Sequence, residues 1–222
     1  MHRGMRIKIP MEQIPLAIES LTMQMRYNLG QYDMVLDLCD QNSDDKVYCE
    51  NHDLKADQEA VLLPVRNRLM RDTRSSGFGE SRGIGNPHND PKVTDGYVLL
   101  CSIRRPYAYY QQLDFDVYYR TPPENGRYPI PECSMDDNGM TVELCPEQMA
   151  ILKEAAEAFY ATYHGELIKA FRFFTDDPVC LELVAAAEHL GKIQINPNYL
   201  GCVEKYWEWI RGVVKNDDLA SV

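Results

Sequence analysis

Three short stretches of this chain carry residues whose types and spacing could do chemistry. Gly79-Glu80-Ser81-Arg82-Gly83 spells G-x-S-x-G, a pattern that works when a strained strand-to-helix turn lifts the serine over helix N–H groups. The segment ahead of it reads as helix, and Ile84-Gly85-Asn86-Pro87 cannot propagate one. The pattern therefore lacks its context, although His88, His164 and His189 lie downstream. The same loop offers Gly77, Gly79, Gly83 and Gly85 as N–H donors, with Arg74 and Arg82 as counter-charges, which is a phosphate cradle in outline. Neither G-x-x-x-x-G-K-[ST] nor a strand-led G-x-G-x-x-G accompanies it.

The second stretch holds Cys39, Cys49 and His52. Thiolate and imidazole are zinc ligands, and an acidic loop could close around the ion. A structural site needs four ligands, so Asp40, Asp53 or a distant group would have to complete it, and no Cys-x-x-Cys supplies a knuckle. Structural zinc is a candidate cofactor on these residues alone; the simpler reading is a core cysteine, a second cysteine and a surface histidine. The third stretch carries Glu154, Glu157 and His164 on one helix. A di-metal bundle needs Glu-x-x-His pairs on facing helices, and none occurs, so these read as exposed helix residues.

Charge is strongly segregated. Asp33, Asp37, Asp40, Asp44, Asp45, Glu50, Asp53, Asp57 and Glu59 crowd one segment against only Lys46 and Lys55. Arg66, Arg68, Arg71, Arg74 and Arg82 follow almost at once. Such neighbours either neutralise each other within one molecule or pair between molecules, head to tail. These arginines are the candidate interface or anion-binding residues. Tyr107, Tyr109, Tyr110, Tyr118 and Tyr119 cluster in the middle of the chain, and Tyr206, Trp207 and Trp209 near its end. Trp207 and Trp209 cannot both face one core from a helix, so one is expected at a surface or under a partner.

The elements that position these groups follow from periodicity. Arg6–Pro10 is expected as a short edge strand, and Met11 to about Leu29 as an amphipathic helix ended by Gly30. Tyr32–Cys39 reads as a short helix, and about Lys55 to Arg71 as a third, kinked or divided at Pro64. Residues 72–96, with five glycines and two prolines, read as an extended Gly/Arg loop, longer than compact domains usually carry without a use for it. Tyr97–Ile103, a nearly continuous apolar run, Leu113–Arg120, which alternates, and Met140–Leu144 are expected as strands. Cys145-Pro146-Glu147 opens a helix, Leu167–Phe174 continues the helical part, Asp176-Asp177-Pro178 starts another to Leu190, and Asn196-Pro197 starts the last, to about Val214, before a tail over Asp217–Val222. The expected class is α+β: N-terminal helices, a small central mostly antiparallel sheet and a C-terminal helical bundle. All of 1–222 is expected as a single domain, with sub-regions 1–71 helical, 72–96 loop, 97–145 β and 146–216 helical.

Bulk composition narrows the classes. The chain has 222 residues, 45% of them hydrophobic and 26% charged, enough to bury a core without staples. Its seven cysteines are odd in number, irregularly spaced, and set in apolar runs such as that around Cys101 and Cys180, which suits buried thiols in a reducing compartment. The basic start, Met1 to Lys8, has no apolar run behind it, and no stretch approaches a membrane span. The expectation is a cytoplasmic or virion-associated protein, not secreted, with no membrane partner. A net charge of −11 disfavours nucleic acid as a partner. What remains foremost is a non-enzymatic assembly or interaction protein, a homo-oligomer or part of a larger assembly, with 72–96 as an arm for subunit contacts. One alternative is an enzyme whose glycine-rich lid, with Arg74, Arg82, His88 and Asp90, closes on an anionic small substrate. Another is a nucleic-acid-backbone binder using Arg66–Arg82.

Overall fold

The computed structural model describes residues 4–43, 48–70, 91–113, 120–124 and 126–220. The fold is α+β, with a three-stranded antiparallel sheet among helices. The elements in order are β1 (Met5–Pro10), a 3₁₀ turn (Met11–Gln13), α1 (Ile14–Asn28), α2 (Tyr32–Gln41), α3 (Tyr48–Met70), α4 (Pro91–Gln111), β2 (Glu132–Asp136), β3 (Gly139–Leu144), α5 (Pro146–Tyr163), α6 (Leu167–Phe171), α7 (Pro178–His189) and α8 (Pro197–Ala220). They fall into two compact units: residues 1–25, 82–156 and 208–222, and residues 26–81 and 157–207.

In the first unit β3 lies between β1 and β2. The register runs Met5 opposite Leu144 to Pro10 opposite Gly139, so β1 is an edge strand as its position in the sequence suggested. Ile7, Ile9, Met140, Val142 and Leu144 are buried, while Arg6 pairs with Glu143 and Lys8 with Asp136 on the solvent side. The alternation is that of a half-buried sheet. Gly139 closes the hairpin at φ +138, where a Cβ would sit 2.1 Å from the Ile9 carbonyl oxygen, so no other residue fits without moving β1.

α4 is the main correction to the sequence reading. Tyr97–Ile103 is not a strand: it is the middle of a helix that begins at Pro91, so 91–96 belong to that helix and not to an extended loop. A short apolar run has no period that separates a buried strand from a helix buried on all sides. Here every residue from Val93 to Arg104 is buried. Within this set Asp95 accepts from the Arg127 backbone N–H and from its Nε, both at 2.7 Å, tying residues 126–129 down. Gln148 holds the same loop through the Pro129 carbonyl at 2.6 Å. The expected strand Leu113–Arg120 lies, for residues 114–119, outside the described residues.

In the second unit α3 starts at Tyr48, earlier than its periodicity suggested, and Pro64 sits inside it without dividing it. α7 opens as the sequence indicates: Asp177 caps it, accepting from the Val179 N–H at 2.9 Å, with Pro178 first in the helix. Gln58 on α3 donates to the Gly191 carbonyl just past the other end of α7 and to the Ala187 carbonyl, which the Leu190 N–H also reaches. α2 is fixed by its first residue, whose ring meets Phe171 at 4.8 Å and Tyr27 at 6.1 Å. α8 runs to Ala220, beyond the expected Val214, since no Gly or Pro interrupts 213–220. Among the described residues no helix is long and apolar enough to cross a membrane.

Candidate functional site

The second unit contains a groove of about 360 Å³ lined by Gly30, Tyr32 and Asp33 on one side and by α3 from Ala56 to Arg66 on the other. The local sequence explains its shape. Gly30 takes φ +65 and ends α1, so the chain turns at once into α2 and places Tyr32 and Asp33 in its first turn. α3 supplies Ala56, Glu59, Ala60, Leu63 and Arg66, at spacings that share one helix face. Two alanines on that face leave the concavity. Leu62 is buried beneath, whereas Leu63 is 44% exposed and stands at the rim.

The groove is electrically bipolar. Glu59 and Arg66 are seven residues apart on α3, two turns, or about 10 Å along the axis. Asp33 and Glu59 make one end acidic. The Glu59 carboxyl is held above its ordinary pKa, chiefly by burial, with Lys55 opposing and Asp37 and Asp33 reinforcing. Lys55 hydrogen-bonds Asp37, which pushes its own pKa up, and also lies 4.0 Å from the Glu59 carboxylate. Arg66 makes the other end basic and acts on the phenol of Tyr32, whose pKa is raised by burial first, then by Cys180, with Arg66 opposing.

Tyr32 is 3% exposed, and its hydroxyl has no hydrogen-bond partner among the described residues. Leaving a buried hydroxyl unsatisfied costs about 1–3 kcal/mol. The oxygen itself is sealed from solvent, so the ring and not the donor is what Tyr32 shows to the groove. The groove offers an apolar floor with an anionic and a cationic end. A volume of about 360 Å³ is near the small end of ligand sites, which span roughly 300–1,000 Å³, and fits one or two side chains.

The residues that the sequence singled out fare differently. Arg66 is in the groove. Arg68 instead donates from Nε to Asp177 at the start of α7, which lowers the Asp177 pKa and serves the fold of its own unit. Arg71, Arg74 and Arg82, with Gly79-Glu80-Ser81-Arg82-Gly83, the phosphate-cradle glycines, His88 and Asp90, lie outside the described residues. Trp207 stacks on Tyr160 at 5.7 Å, Tyr160 on His164 at 4.2 Å, and Lys169 sits over the Tyr160 ring. Trp207 is thus engaged within its own unit, and Trp209 is half-buried.

For zinc, Cys39 is buried in α2 while the His52 side chain is 60% exposed and lies 3.9 Å from Asp53; the Cys49 side chain is outside the described residues. Among the described residues no three His, Cys, Asp or Glu side chains gather as a metal cluster. Cys39, Cys101, Cys133, Cys145, Cys180 and Cys202 are joined in no disulfide among the described residues. Burial pushes the thiols of Cys101, Cys145 and Cys180 up and that of Cys133 to about 12, which makes them poor nucleophiles at neutral pH.

Comparison with protein-family models, curated proteins and solved structures yields no match. Function must be argued from the groove. Sequence reasoning had missed Tyr32 and Leu63 as parts of a site. The available signal was the run of Ala56, Ala60 and Leu63 at helical spacing, which leaves an apolar stripe between charged residues.

Proposed function

We propose that this chain is a non-enzymatic interaction protein, a component that assembles with protein partners, and that the α2–α3 groove is its contact surface. The observation that carries this reading is the groove itself: an exposed leucine over an apolar floor, flanked by opposite charges. Protein interfaces bury apolar groups at their centre inside a polar rim, and arginine is among the residues that contribute most to binding. An arm over 72–96 is not required for it, since 91–96 are part of α4. Raised thiol pKa values at four cysteines weigh against a cysteine-dependent enzyme.

The test is a photo-crosslinking residue placed at Leu63 in the full chain, with the same residue at Val179, which is equally exposed on α7. Discrete protein conjugates from position 63 and none from position 179 are expected in cells. Conjugates to a small metabolite, or equal yields at both positions, would overturn the reading in favour of an enzyme or of no site here.

A further inference from the structure

We infer that the partner which fits this groove is a second copy of the same chain, with α3 packed antiparallel on α3 across a two-fold axis near Leu63. This rests on the reading of the groove as a protein contact and names its occupant. A two-fold interface must be self-complementary, because each surface meets itself reversed. The α3 face meets that requirement in its sequence order. Glu59 precedes Leu63 by four residues and Arg66 follows it by three, so reversal about Leu63 brings Glu59 of one copy opposite Arg66 of the other, twice per dimer. The offset of one residue is about 1.5 Å along the axis, which long side chains absorb. Ala56 and Ala60, exposed on the same face, let the two backbones approach. The Leu63 side chain, 44% exposed, is the projecting group that enters the opposite groove.

Charge supports this choice over an unrelated partner. With a net charge of −11, two copies repel at long range, so association depends on local attraction at short range, where screening over about 8 Å at physiological salt spares close pairs. The Glu59–Arg66 pairs supply that attraction. They also fix the orientation: a parallel arrangement would set Glu59 against Glu59 and Arg66 against Arg66. A face of one helix pair lies at the small end of specific interfaces, below about 1,200 Å², so the dimer is a concentration-dependent one.

The decisive experiment is sedimentation velocity on the full chain as wild type, Glu59→Arg, Arg66→Glu and the double variant, with circular dichroism to establish that each is folded. Wild type should dimerise reversibly. Each single reversal should weaken the dimer about tenfold or more, since two exposed pairs become repulsive in each. The double variant should return to within about threefold of wild type, because the pairs are restored with exchanged ends. Within one chain the two residues are two turns apart, so only an intermolecular pairing gives that rescue. Leu63→Asp, at an exposed position that keeps the fold, should abolish the dimer. Reversals with no effect, or no rescue in a folded double variant, would overturn the inference. A strictly monomeric wild type that still forms discrete conjugates with another protein from position 63 would overturn the second copy alone and leave the interaction reading standing. A monomer with no conjugates would end both.

Discussion

Replacing Tyr32 by Phe removes one oxygen and tests the account at its most exacting point. The ring stays, so its contacts with Phe171 at 4.8 Å and Tyr27 at 6.1 Å are kept. The hydroxyl it loses is buried and has no partner among the described residues. A satisfied hydroxyl contributes about 0.5–1.5 kcal/mol, so its removal destabilises; an orphaned one costs about 1–3 kcal/mol, so its removal stabilises. The expected change is therefore a gain of about 1 kcal/mol, or a rise in Tm of about 2–4 °C for a chain of this length. Thermal and urea unfolding at low protein concentration read it. Partner binding should be unchanged, because the oxygen is sealed from solvent and the ring that lines the groove is retained. A loss of stability of about 0.5 kcal/mol or more would mean that the hydroxyl is already satisfied within the fold.

The remaining predictions concern the fold and the pH response. Asp95→Ala should cost about 2–3 kcal/mol by urea unfolding, because it strips the acceptor from both the Arg127 N–H and its guanidinium; a loss under 0.5 kcal/mol would show that the 126–129 loop is anchored otherwise. Leu99→Ala, at a fully buried position of α4, should cost about 2–5 kcal/mol, whereas Leu63→Asp should leave monomer stability within about 0.5 kcal/mol, both read by the same assay. Partner binding should fall as the pH is lowered through the upper carboxylate range. Burial, reinforced by Asp37 and Asp33 against Lys55 and His52, raises the Glu59 pKa, and pairing with a cation would lower it, so binding is favoured above that pKa and lost below; affinity that is flat from pH 7 to 4 would contradict this. Asp136 and Asp177 are shifted the other way but respond to pH in the same sense: hydrogen bonds from Lys8 and Arg68 lower their pKa values, so the stabilisation is present above the ordinary carboxylate pKa and is lost as the pH falls through the depressed values.

The parts of the fold legible in the sequence are those fixed by local physics. The edge strand at the start, the end of α1 at Gly30, and the opening of α7 at Asp177-Pro178 each follow from strand alternation, a left-handed glycine or a cap. α4 was not legible because its burial on every side erased the period that distinguishes helix from strand, and Pro91 was the one local sign of its start. The groove shows the same limit. Arg66 stood out as a charge, and Asp33 and Glu59 as members of an acidic run, but nothing in the order of residues says that the first turn of α2 meets the middle of α3. Contacts between parts of the chain far apart in sequence set the position of α2, such as Tyr32 on Phe171 and Lys55 on Asp37. Leu63 was hidden by Leu62, since adjacent leucines do not reveal which one the core takes.

Hydrogen exchange of the purified chain, compared between dilute and concentrated solution, tests the central claim most directly. If the groove is a protein contact that a second copy fills, exchange should slow at residues 30–36 and 56–67 as concentration rises, while α7 is unchanged. Protection that is absent, or spread evenly over α7 and α8, would contradict the account.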